Sequence, residues 1–232
     1  MSSWGQYAHG HRRRPQAGKR LPVRGTLGRV ARGPRAGIGF KSHTGWALGV
    51  VVVEDDDGIH VVAKQRVTMQ ETFATAAVFH VSQERGLSAA EARPFIESTL
   101  RESVKRAKAS IASISKSIGG RSIQRAAILA GNARPLPPLD SILRSHPLIH
   151  TAEGELYRDA VANACDALGL PAVRIPAKDL DSRAAKAFSL PAATLRARLD
   201  AAGKSSGKPW TAEHRDCALA AWLILQIRGH NT

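Results

Sequence analysis

The chain has 232 residues, 43% of them apolar and only 5% aromatic, and carries a formal net charge of +15. That length suits one compact domain with extensions, built mainly on Ala, Val, Ile and Leu. No apolar run reaches the ~18 residues of a membrane span, and no apolar stretch follows Arg12, Arg13 and Arg14 to make a secretory signal.

The charge is concentrated at the start. Residues 1–53 contain no acid and ten bases (Arg12, Arg13, Arg14, Lys19, Arg20, Arg24, Arg29, Arg32, Arg35 and Lys41), leaving +5 of the +15 for the rest. Residues 1–36 are rich in Gly, Pro and Arg without an apolar period, and are expected to be disordered or extended in isolation. This divides the chain into a basic arm, 1–35, and a domain, 36–232. Clustered bases that meet no acid release counterions from a phosphate backbone. The arm is therefore read as polyanion-binding rather than as a solubilising tail. RNA, DNA and an anionic lipid surface fit the charge equally well. An organelle transit peptide would also be Arg-rich and acid-free, but Gly and Pro break any amphipathic helix here.

Order is expected from Ala36. Gly37 to Lys41 reads as a short strand, Ser42 and His43 as a turn, and Thr44 to Val53 as a β-branched strand. Asp57-Gly58 between two apolar runs marks a hairpin, and Ile59 to Met69 is the third strand. A helix follows from Glu71 to Arg85, stopped by Gly86. Ser88 and Glu91 form a capping-box pattern. Beyond it Ile96, Leu100, Val104, Ala107, Ile111, Ile114 and Ile118 mark one face of a long helix. Pro94 is expected to kink or delay its first turn, and Gly119-Gly120 ends it.

Ala126 to Ala130 reads as a buried strand, followed by a Pro-rich loop over 131–139 and a helical turn from Leu139 to Arg144. Thr151 is expected to cap a helix from Ala152 to Leu168, with Gly169 after its end. Leu170 to Ile175 is a strand, 181–202 a basic helical region and 203–209 a linker; Thr211 caps a last helix to about Ile227. Cys165 and Cys217, without CxxC spacing, read as buried free thiols of a reducing compartment, hence a cytoplasmic protein. An antiparallel layer followed by βα units that add parallel strands predicts a mixed α/β sheet flanked by helices.

Three segments resemble the ribonuclease H-like superfamily, and within it the Holliday-junction resolvase branch. Gly37-Ile38-Gly39-Phe40-Lys41 with Thr44-Gly45-Trp46-Ala47 is similar to the family's first strand and turn. Ala126-Ile128-Leu129-Ala130 is similar to its fourth strand, and Asp216-Cys217-Ala218-Leu219-Ala220-Ala221 to the acidic start of its last helix. The resemblance covers roughly residues 36–228. It implies carboxylates from these three elements converging on two Mg²⁺ or Mn²⁺ ions, which stabilise the attacking and leaving oxygens of phosphodiester hydrolysis. Two of the three acids are missing. Lys41 stands on the first strand and Leu129 or Ala130 on the fourth; only Asp216 matches. The resemblance thus implies the fold and a nucleic-acid groove more than it implies cleavage. Lys41 is expected to grip phosphate or to pair with Asp216.

The stretch from Arg144 to Glu155 is densest in polar chemistry. His146, His150 and Glu155, with Asp216, are candidate metal ligands, although Pro147 argues against a continuous helix there. A helix entry whose acids complement the dipole is the plainer reading. Lys41, Ser42, His43 and Arg144, with Arg12, Arg13 and Arg14, are the candidate phosphate contacts. If the chain is a nuclease, Asp216, Glu153 and His43 are the candidate catalytic groups. His214-Arg215-Asp216 spells a kinase tripeptide and Ser113 to Lys116 an S-x-x-K pattern, each without its companion motifs. The first expectation is a nucleic-acid-binding protein with a degenerate metal site. The alternatives are an active metal-dependent nuclease or resolvase and a ribonucleoprotein-associated scaffold.

Overall fold

The computed structural model of the chain describes residues 33–131 and 135–227. Arg12, Arg13 and Arg14, and nearly all of the expected arm, lie outside the described residues. Three strands form an antiparallel meander: β1 (Arg35–His43), β2 (Trp46–Asp55) and β3 (Gly58–Thr68). β3 opens on Gly58, whose φ of +128° suits glycine, so the Asp-Gly hairpin forms as expected. The first turn lies later than the sequence suggests. Ser42 and His43 are still strand residues, paired with Ala47 and Trp46. The turn is Thr44-Gly45, because Gly45 is the residue that takes a φ of +83° without strain.

β4 (Ile123–Ala130) joins β1 in parallel, and β5 (Ala172–Pro176) joins β4 in parallel. The sheet order is β3-β2-β1-β4-β5. This is the predicted mixed sheet, three antiparallel strands and then parallel ones, flanked by helices. Parallel pairing needs long crossovers, and the helices supply them.

Between β3 and β4 run α1 (Phe73–Ala76), α2 (Val78–Glu84) and α3 (Ala89–Ser117). The single helix expected over Glu71 to Arg85 is therefore two, broken at Ala77, where ψ turns to +54°. The Ser88–Glu91 capping box is formed, with Ser88 N–H donating to Glu91 at 2.9 Å. α3 starts ahead of Pro94 and contains it, so the proline does not delay the first turn. Its buried line begins on Ala92, Thr99 and Ser103 before passing to Ala107, Ile111 and Ile114. Ser103 goes inward to meet Gln70, which donates to its Oγ at 3.0 Å and to the Thr99 backbone carbonyl at 3.5 Å.

α4 (Leu139–Leu143) and α5 (His146–Asp166) link β4 to β5. α5 begins well before the expected Ala152. Pro147 sits in its first turn, where no N–H partner is needed. Thr151 is no cap; it lies within the helix and its Oγ1 donates to the Pro147 carbonyl at 2.9 Å. The expected helical region over 181–202 is two helices, α6 (Leu180–Phe188) and α7 (Ala192–Ser205), separated at Ser189 with its φ of +53°. α8 (Ala212–Ile224) follows.

The sheet divides two apolar layers. On one side Ile38, Phe40 and Ile128 meet α3 and α5 through Ile111, Ile114 and Tyr157. On the other Val50, Val52 and Leu129 meet α7 and α8 through Leu195, Leu219 and Leu223. Glu54 pins the far end of α8, accepting from Trp222 Nε1 at 3.0 Å and from Gln226, and pairing with Arg35. Both cysteines are free and buried, and burial pushes the Cys165 thiol up to about 12. Among the described residues no helix is long and apolar enough to cross a membrane.

Candidate functional site

β1 and α8 meet backbone to backbone. A Cβ on Gly37 would overlap the Ala221 carbonyl oxygen, and one on Gly39 would stand 2.8 Å from the Cys217 carbonyl carbon and closer still to its oxygen. These contacts set a ruler. Two strand residues advance roughly 6.6 Å, and four helical residues roughly 6.0 Å. Gly37 opposite Ala221 and Gly39 opposite Cys217 therefore place Lys41 opposite Glu213. The structure has that pair, Lys41 Nζ to Glu213 Oε1 at 3.0 Å, with both side chains 36% exposed. The expected partner Asp216 lies elsewhere on α8, on Arg196 at 3.0 Å, and Arg196 also holds Asp181.

His43 lies two residues along the same strand face. Its Nε2 is sealed from solvent and sits 3.4 Å from Glu213 without the alignment of a hydrogen bond. Burial pushes the imidazole below its ordinary 6.5; the Glu213 carboxylate opposes this, and Lys41 and Arg66 reinforce it. Desolvation acts to raise the Glu213 carboxyl, yet Lys41 and His43 outweigh it and hold the group below the usual range. His43 also stacks on Trp46, with ring centroids 4.1 Å apart and planes 10° from parallel. The exposed Arg66 guanidinium lies over the same indole at 4.1 Å, a cation–π arrangement. Arg66 has no carboxylate partner among the described residues.

The donor set does not fit the two-metal site that the resemblance implies. Lys41 is paired in register with Leu129 of β4, so the first- and fourth-strand positions hold an ammonium and an alkyl group. Both α8 carboxylates, Glu213 and Asp216, are bound to cations. Mg²⁺ demands several oxygen donors free to reach it, and here an ammonium occupies the centre.

The other candidates divide between the two sides of the sheet. Ser42 alternates to the opposite face from Lys41 and His43, where its Oγ donates to the Tyr157 carbonyl at 3.5 Å. Arg144 is exposed at the end of α4. Glu155 pairs with Arg158 and Arg174 at 3.1 and 3.0 Å, away from the histidines. His146 and His150 do share a face of α5, with Nε2 atoms 3.0 Å apart, and they meet His80 of α2. Glu153 is buried and binds His80 Nδ1 at 2.9 Å. No hydrogen bond or ion pair among the described residues joins this group to Lys41, His43 or Asp216. Sequence reasoning missed Glu213, Arg66 and His80. The Gly-x-Gly of β1 facing the four-residue spacing of Glu213, Cys217 and Ala221 was the signal for the first of these.

No family model matches the chain, and no curated protein matches it. Eight solved chains do. One is T. thermophilus RuvC in complex with Holliday junction substrate, at 11% identity and a TM-score of 0.48, covering 83% of this chain and 93% of that one. Another is the Thermus thermophilus RuvC structure, also at 11% identity and 0.48, covering 82% of this chain and 93% of that one.

Proposed function

We propose that this protein binds nucleic acid on a ribonuclease H-like domain without hydrolysing it. The observation that carries this reading is the neutralised acid set: Lys41 with Glu213 and Arg196 with Asp216, each at 3.0 Å, where a nuclease of this fold would keep free carboxylates. Arg66 is the cation at the site best placed for phosphate, being exposed and without a carboxylate partner among the described residues. Lys41 and His43 border it. The basic segment 1–35, with Arg12, Arg13 and Arg14, adds a sequence-independent grip on the same polyanion.

Fluorescence anisotropy with duplex DNA, four-way-junction DNA and duplex RNA across a salt series tests this. Affinity is expected to fall steeply with salt, Arg66→Ala to reduce the log–log slope by about 1, and no Mg²⁺- or Mn²⁺-dependent cleavage to appear. Cleavage that disappears in Asp216→Asn establishes the nuclease reading instead. Binding to none of the three substrates leaves the scaffold reading. Removal of residues 1–35 with no change in affinity eliminates the arm's role.

A further inference from the structure

A second constellation lies on the α5 side of the sheet. His146 and His150 stand one turn apart at the start of α5, with ring centroids 4.5 Å apart. His80 reaches them from α2, at 5.2 and 4.6 Å between centroids. One ligand nitrogen from each of the three rings lies within 4.8 Å of the other two. One turn further along α5, Glu153 is 2% exposed. It accepts from the His80 ring at 2.9 Å and from the His80 backbone N–H at 3.3 Å.

We propose that His80, His146 and His150 bind one divalent transition-metal ion of the zinc class, with Glu153 orienting His80 from behind. Distance supports this first. An ion held tetrahedrally at 2.0–2.1 Å by imidazole nitrogens keeps them roughly 3.3 Å apart. The His146–His150 separation of 3.0 Å is already near that edge, and a side-chain rotation of His80 closes the triangle. The tautomer agrees. Nδ1–H of His80 donates to Glu153, which leaves Nε2 as the lone-pair nitrogen; a carboxylate behind a histidine is how such ligands are oriented and made more basic. Charge agrees too. Glu153 is a buried carboxylate with no Lys or Arg partner among the described residues, and a cation beyond His80 supplies the missing charge. Three solvated histidines that merely touch would not explain why a buried acid stands behind one of them.

The donor set chooses the metal. Three imidazoles suit Zn²⁺, Co²⁺, Ni²⁺ or Cu²⁺ and not Mg²⁺ or Ca²⁺. His146 and His150 are exposed, so the ion has an entry path and a fourth position open to water or ligand. Bound there, it ties α2 to α5. This site is separate from the Lys41–Glu213 pair and does not rest on the nucleic-acid reading.

Calorimetric titration of the chelator-treated, tag-free full chain with ZnCl₂ is the test, with Co²⁺ absorption as a second readout of nitrogen ligation. One ion per chain is expected, together with a higher melting temperature. His146→Ala, at an exposed position that leaves the core untouched, should weaken binding at least tenfold. Glu153→Gln should weaken it about 10- to 100-fold, the usual effect of losing such a partner. A His9→Ala/His11→Ala control should bind as the parent does. The proposal is overturned if Zn²⁺ does not bind, or if His146→Ala and His150→Ala leave affinity and stoichiometry unchanged.

Discussion

The two faces of β1 are built on opposite principles. Toward α3 and α5, β1 presents Ile38 and Phe40, and the layer is filled by bulky side chains such as Ile111, Ile114 and Tyr157. Toward α8, β1 presents Gly37 and Gly39, and the helix backbone replaces the side-chain layer. The padded face holds a cluster of histidines around a buried carboxylate. The bare face holds a row of charged pairs whose spacing follows from backbone contact. The proposed affinities for an ion and for a polymer would thus fall to different residues on each side.

The largest effect should come from emptying the padded face. Phe40→Ala is expected to cost about 3–5 kcal/mol, as a large buried ring leaves a cavity, read from urea denaturation. Filling the bare face comes next. Gly39→Ala should cost about 1–3 kcal/mol through overpacking against Cys217. A change as mild as a surface substitution there would mean that helix and strand can part, and would remove the contrast.

The start of α8 is next in size. His214 Nδ1 accepts from the Thr211 backbone N–H at 3.2 Å and lies 2.7 Å from its hydroxyl. His214→Ala should cost about 1 kcal/mol, in the range of a lost N-terminal cap. The same bond makes the helix acid-sensitive, since a protonated Nδ1 cannot accept. Burial, reinforced by Lys64 and opposed by Glu213, pushes His214 below 6.5, and His43 is lowered as well. A histidine lowered in the folded state contributes stability that is full above its unfolded value. That stability is lost as pH falls from about 6.5 through the folded value. Melting temperature should therefore fall across this window, and His214→Ala should flatten part of the fall. The smallest effect is at the charged row. Glu213→Gln should change stability by no more than about 0.5 kcal/mol, because the pair with Lys41 is half in water.

Much of the sheet was legible because β-branched runs and the Asp57-Gly58 turn speak locally. The Thr44-Gly45 turn was misplaced because Ser42 and His43 look like turn residues, and only the pairing with β2 keeps them extended. The entry of α5 was hidden by Pro147, read as a breaker although it stands where a helix tolerates it. The site was less legible, for a related reason. Asp216 carries the family-like acid, but Lys41 meets Glu213, and that choice is made by the registration of two glycines on a helix. His80 had no signal near it. It joins His146 only because α1 and α2 both pack on α5, with Tyr157 donating to the Ala76 carbonyl of α1 at 2.7 Å and Glu153 accepting from His80 of α2 at 2.9 Å.

The glycine contact between β1 and α8 also governs compliance. Side-chain layers yield by changing rotamers, whereas two backbones in contact have nothing between them to rearrange. Lys41, His43 and Glu213 are therefore mounted on one stiff frame, like marks on a caliper with its jaw locked. A phosphate chain docked beside them, as proposed, would have to supply the deformation itself. On the proposed function, selection among nucleic acids would then follow from how cheaply each can bend to a fixed span.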